Sequence, residues 1–167
     1  MAWTGHFVET NYEERAEFLY HFLKMHEICT KDTEKAFSDT LKFILGGMMI
    51  RKEPRYISES VQASENDSTD EHTIPCKVLT DYLMGKIKDG NTFPTKEFLS
   101  EFIEKLSGIG KITKAENNKL SRIGLKQKLP EKITLDDIIT GSVNHAVRYE
   151  KAGIVFFEKI EIPRGDK

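Results

Sequence analysis

Apolar residues recur at helical spacing four times along this chain, and each run is bounded by residues that start or stop helices. This pattern constrains the fold more than any other feature. Ala16, Leu19, Phe22 and Leu23 share one face of a helix over Glu9 to Cys29, with Phe18 and Met25 widening the stripe. Thr10 followed by Glu13 reads as a capping box, in which each side chain satisfies a backbone donor left free at the helix start. Phe37, Leu41, Ile44, Leu45 and Met48 mark a second helix from about Thr33, which Gly46-Gly47 should weaken or end. Pro75 pre-sets a third helix through Val78, Leu79, Tyr82, Leu83 and Ile87, closed by Asp89-Gly90. Thr95 opens a fourth through Phe98, Leu99, Phe102, Ile103 and Leu106, with Gly108 in the place of a left-handed cap. A second capping box, Thr113 with Glu116, opens a short helix running to Gly124.

The C-terminal part is different. Thr134 to Tyr149 reads as partly helical, while Ile154 to Ile162 is dense in β-formers and reads as a strand. A strand needs a partner, and Trp3 to Val8 or Met49 to Ile57 are the stretches able to supply one. The expectation is a mainly α (α+β) fold: one multi-helix domain over residues 1–167, with a small antiparallel sheet that includes the C-terminal strand. Between Tyr56 and Glu71 lie five acids, no bases and a group of serines. This composition predicts a flexible loop at about 58–71, most exposed over Ser64 to Asp70.

At 167 residues the chain is long enough for a real core. Cys29 and Cys76 are far apart and form no Cys-x-x-Cys motif, which argues against a disulfide framework or zinc knuckle. No basic start followed by an apolar run marks a leader, and no stretch reaches the roughly 18 apolar residues of a membrane span, so a cytoplasmic protein without a membrane partner is expected.

The net charge of −2 hides a strong asymmetry. Lys105 to Lys132 carries eight bases against two acids, a local +6 that leaves −8 for the rest. Lys111, Lys114, Lys119, Arg122, Lys126 and Lys128 could form a phosphate-binding face on an acidic protein, or simply a solvated helix surface. Asn144, His145, Arg148 and Tyr149 form a second polar group. On a helix, Asn144 would stand beside Arg148 and His145 beside Tyr149, an arrangement in which arginine could clamp a phosphate and tyrosine could stack or donate a hydrogen bond. It equally suits a helix end that leads into the last strand.

The segment Asp70-Glu71-His72-Thr73-Ile74-Pro75 places a carboxylate directly before a histidine at the exit of a polar stretch. Such a pair offers a metal ligand and a general base close together. The acid-His-x-x-Pro pattern resembles the first segment of HNH-type nucleases. That resemblance implies Glu71 as ligand to a divalent metal and His72 as the base that activates water. It covers about six residues; Asn91 and either Glu97 or Glu101 are the nearest further members, and Cys76 to Lys88 already reads as helix where the family has a hairpin. Without the resemblance, His72 is a residue packed near a helix start and Glu71 a solvating acid.

Two functions follow as expectations. The first is a nucleic-acid-acting protein, taken by the resemblance to a small metal-dependent nuclease. The alternative is a non-enzymatic module that binds another protein, of the immunity, antitoxin or anti-defence inhibitor kind, through the acidic remainder of the chain.

Overall fold

A computed structural model describes residues 10–50, 54–63, 67–90 and 93–159. In chain order these form α1 (Tyr12–Lys24), a 3-10 turn (Met25–Ile28), α2 (Lys31–Met48), β1 (Tyr56–Ser58), α3 (Glu59–Ala63), β2 (Ser68–His72), α4 (Cys76–Asp89), α5 (Lys96–Leu106), β3 (Ile109–Thr113), α6 (Lys114–Arg122), α7 (Leu135–Ile139), α8 (Val147–Lys151) and β4 (Phe156–Lys159). The fold is mainly helical with a small sheet, and no helix among the described residues is long and apolar enough to cross a membrane.

Local chemistry explains most helix boundaries. The cap of α1 falls one residue later than the sequence suggests, because the Asn11 side chain accepts from the Glu14 N–H at 2.8 Å. Thr30 and Thr33 cap α2 reciprocally. This helix runs through Gly46-Gly47 to Met48, held by the fully buried Leu45 and Met48 against the local glycine cost. Thr95 caps α5, Thr113 and Glu116 form the expected box on α6, and Gly90 ends α4 in the left-handed conformation with φ 69°. Glu116 also accepts from Ser58 Oγ at 2.7 Å, which ties α6 to β1. Burial alone would raise the Glu116 carboxyl; hydrogen bonds from Ser58, the Thr113 N–H, Ser60 and the Thr113 hydroxyl overcome this and hold it below the usual carboxylate value.

The sheet departs from expectation. Its order is β2-β3-β1-β4, with β1 and β3 parallel and the other two pairs antiparallel, so it is mixed. The C-terminal strand does find its partner in the second of the two expected stretches, Tyr56 pairing with Lys159. Trp3 to Val8 and Ile160 to Ile162 lie outside the described residues. Two strands were hidden in segments read otherwise. Over its described residues the loop expected at about 58–71 is not one: Ser58 ends β1, Glu59 to Ala63 form α3, and Ser68 to Glu71 lie in β2, with Ser68 to Asp70 paired to Lys111 to Thr113; Ser64 to Asn66 lie outside the described residues. Ser107 does cap α5, its N–H donating to the Ile103 carbonyl, but Ile109 to Lys111 are no turn: they open β3, the central strand between β2 and β1. Gly108 has no left-handed φ; instead a Cβ there would stand 2.8 Å from Thr73 Oγ1. Glycine is needed for close approach, since Thr73 donates from both its N–H and its hydroxyl to the Gly108 carbonyl.

Two apolar clusters result. The larger gathers Leu19, Leu23, Leu41, Leu45, Leu79, Leu83, Leu99, Phe102 and Leu106 among α1, α2, α4 and α5. The smaller, with Tyr56, Ile112, Leu120, Tyr149 and Ile154, lies where the sheet meets α6 and α8. Burying amphipathic faces in this way supplies most of the helical stability that isolated helices of such length lack.

Candidate functional site

At the end of β2 the register sets Glu71 opposite Gly110 and His72 opposite Ile109. Gly110 leaves room for the Tyr149 side chain: a Cβ at that position would meet Tyr149 Oη at 2.9 Å. Tyr149 is fully buried, and its hydroxyl sits 3.1 Å from the Glu71 carbonyl and 3.2 Å from that of His72, to which it donates. Burial raises its pKa far above that of an ordinary phenol, so it stays protonated.

Arg148 lies beside it, also fully buried. Its Nε donates to the Thr73 carbonyl at 2.9 Å, Nη1 to the carbonyls of Leu125 and Lys126 at 3.0 and 3.2 Å, and Nη2 to Glu71 Oε1 at 2.9 Å and to the His72 carbonyl. One guanidinium therefore joins the end of β2, the turn after α6 and helix α8. A buried charge of this kind is tolerable only because its donors are met by backbone oxygens and a carboxylate.

The sequence placed Arg148 and Tyr149 on a nucleic-acid surface; the structure puts both in the interior, where neither reaches a phosphate or a base. Nor do the four polar residues share one helix. Because α8 begins only at Val147, Asn144 and His145 sit in the preceding turn. There Asn144 accepts from Tyr56 Oη at 2.8 Å and His145 meets the Arg55 guanidinium at 3.0 Å. Arg55 also donates to the Lys105 and Ser107 carbonyls at the end of α5. This half of the group braces β1 and α5, away from the Arg148 centre.

Glu71 and His72 line a shallow depression of about 140 Å³ together with Lys42, Cys76, Lys77 and Lys126. Burial lowers the His72 pKa below that of a free imidazole; the Glu71 charge opposes the shift and Arg148 adds to it. The ring is neutral near pH 7, and its buried Nδ1 has no protein partner among the described residues. The Cys76 thiol is pushed up to about 11 by burial, with the Glu71 charge acting in the same sense, so it is no nucleophile at neutral pH.

A divalent metal does not fit these residues. Glu71 already binds Arg148, and among the described residues no three His, Cys, Asp or Glu side chains converge as a ligand set. Asn91 lies outside the described residues, and Glu101 is paired with Lys105. No step through a metal is derived.

The basic segment divides in three. Lys111 is half-buried on β3, Lys114 pairs with Asp67 at 3.0 Å, and Lys119, Arg122, Lys126 and Lys128 are exposed along α6 and the turn after it. Lys126 belongs both to this strip and to the depression. Lys42 and Lys77 escaped the sequence reading because each stands on the polar side of an amphipathic helix, where a lysine carries no signal. No family model matches the sequence, and no curated protein or solved structure matches it either.

Proposed function

We propose that this protein binds nucleic acid through its phosphates, along the exposed strip of Lys119, Arg122, Lys126 and Lys128. The observation that carries this reading is that all four are exposed and, among the described residues, no carboxylate stands within ion-pair distance of any of them. Elsewhere on the surface Lys24, Lys77, Lys88, Lys96, Lys105 and Lys114 each hold a carboxylate partner, while Lys31, Lys35, Lys42, Lys86 and Lys151, on α2, α4 and α8, also lack one among the described residues. Uncompensated cations on one short stretch of an acidic chain give a local positive field, which draws in a polyanion. Contacts of this kind are made with the backbone and carry no sequence information. Metal-dependent cleavage by Glu71 and His72 is left out of the proposal, because the carboxylate is held by Arg148.

Fluorescence anisotropy with single- and double-stranded oligonucleotides at graded salt tests it. Dissociation constants on the order of 10⁻⁴ to 10⁻⁶ M are expected at physiological salt, weakening steeply as salt rises. Replacing the four strip residues with Ala should weaken binding equally across sequences and flatten the salt dependence. Salt-independent binding, or none at low ionic strength, overturns the reading. Incubation with Mg²⁺, Mn²⁺ and Zn²⁺ runs beside it; cleavage that is lost in His72→Ala would restore the nuclease.

A second reading, a protein-binding module, draws on Met25, Ile28 and Phe43, which are 53%, 81% and 66% exposed. Large apolar side chains at the surface suit a partner. It gains if oligonucleotides fail to bind and if Ile28→Ser with Phe43→Ser abolishes capture of a defined protein partner.

A further inference from the structure

The depression beside His72 has features that the strip lacks. Three elements each bring a lysine to its wall: Lys42 from α2, Lys77 from α4 and Lys126 from the turn after α6. The one carboxylate in its wall, Glu71, is already neutralised by Arg148 at 2.9 Å. Lys77 pairs with Asp81 at 2.8 Å, but both are exposed, and a surface pair of that kind is weak and yields readily to a stronger anion. The N-terminus of α4, a helix of 14 residues, opens here with no side-chain cap and no acid in its first turn. Its free backbone dipoles favour an anion. His72 lines the depression as well, so its ring reports on what enters.

We propose that this depression receives the terminal phosphate of a nucleic-acid strand whose backbone lies along the strip of Lys119, Arg122, Lys126 and Lys128. The inference rests on the nucleic-acid reading above. Lys126 supplies the continuity, since it belongs to both surfaces. Charge selects the strand end over an internal phosphate. An internal diester carries a sugar on each side and one negative charge, whereas a terminal monoester presents three free oxygens and about −1.5 to −2. Cys76, held as a neutral thiol, adds no competing charge and no nucleophile, so the site binds without forming a covalent bond.

The experiment compares one oligonucleotide sequence bearing a 5′-phosphate, a 3′-phosphate or hydroxyls at both ends, bound to the full chain. One phosphorylated end should bind at least about tenfold more tightly than the hydroxyl-ended strand, the effect of one charge-assisted hydrogen bond. Lys42→Ala with Lys77→Ala should erase that preference. Both residues are exposed, and a melting curve checks that the variant is folded. Inorganic phosphate should shift the His72 imidazole resonances in the wild type and not in the double variant. Equal affinity for all three strands, still dependent on the strip, overturns the end-binding proposal and leaves the nucleic-acid reading standing. If no strand binds while inorganic phosphate still shifts His72, both fail and the depression is a free-phosphate site. A preference that survives Lys42→Ala with Lys77→Ala also overturns it.

Discussion

Arg148 and Arg122 carry the same side chain and lie 26 residues apart in sequence, yet they belong to opposite kinds of site. Arg148 is wholly buried, and its donors are met by the Glu71 carboxylate and by carbonyls of residues 72, 73, 125 and 126. Arg122 is exposed at the last turn of α6, with no carboxylate at ion-pair distance among the described residues. One guanidinium is a structural tie between distant segments, and the other is free to meet a partner. Charge alone does not mark a binding residue: what counts is whether the rest of the protein has already met the donors.

The sharpest way to break this contrast is to remove the buried cation. Arg148→Met should cost about 3–5 kcal/mol of folding stability, because the change leaves a carboxylate and several backbone carbonyls without a donor. Urea unfolding monitored by circular dichroism measures it; a loss below 1 kcal/mol would show that the tie is dispensable. Gly110→Ala should cost about 1–3 kcal/mol by driving a methyl into the buried Tyr149 hydroxyl. The same melting experiment checks it, and an unchanged transition would mean that the tyrosine has room to retreat.

His72 supplies a pH-dependent test of the same centre. Its folded pKa is lowered, so the unfolded chain binds the proton more readily. The contribution of His72 is therefore whole above the unfolded value of about 6.5 and is lost as pH falls from there toward the folded pKa. Denaturant midpoints measured across that range should decline for the wild type and decline less for His72→Gln. Identical slopes would place His72 outside the buried centre. The smallest effect on stability is expected from the strip: changing Lys119, Arg122, Lys126 and Lys128 to Ala should move folding by no more than about 0.5 kcal/mol. A larger loss would mean that these cations are structural after all, and the contrast with Arg148 would collapse.

Much of the helical framework was legible because its signals act over three or four residues. The Thr113 and Glu116 box, the Thr95 cap and the Pro75 to Gly90 limits of α4 each depend on neighbours one turn away. The strands were harder to read. In β3 the segment Ile109 to Thr113 has only five residues and an internal glycine, so local preference suggested a turn, and pairing with β1 and β2 decided otherwise. Likewise Ser68 to His72 has the composition of a loop, yet it is a strand because β3 offers it a partner. Of the candidate site, the sequence singled out Glu71 with His72 and Arg148 with Tyr149 as two separate polar pairs; that they meet, with Arg148 and Tyr149 in the interior, is seen only in the packed chain.

What the sequence by itself determined was therefore the four long helices and α6, several of their caps, the place of the C-terminal strand and the concentration of bases between Lys105 and Lys132. Periodicity and capping are properties of adjacent turns and need no knowledge of the rest of the chain. Only the tertiary structure decided which polar residues are interior. Arg148 meets Glu71 across 77 positions and Leu125 across 23, and Tyr149 fits over β3 only because residue 110 has no side chain. Desolvating a guanidinium is prohibitive until those carbonyls and that carboxylate converge around it, and their convergence is a property of the packed chain, not of any window along it.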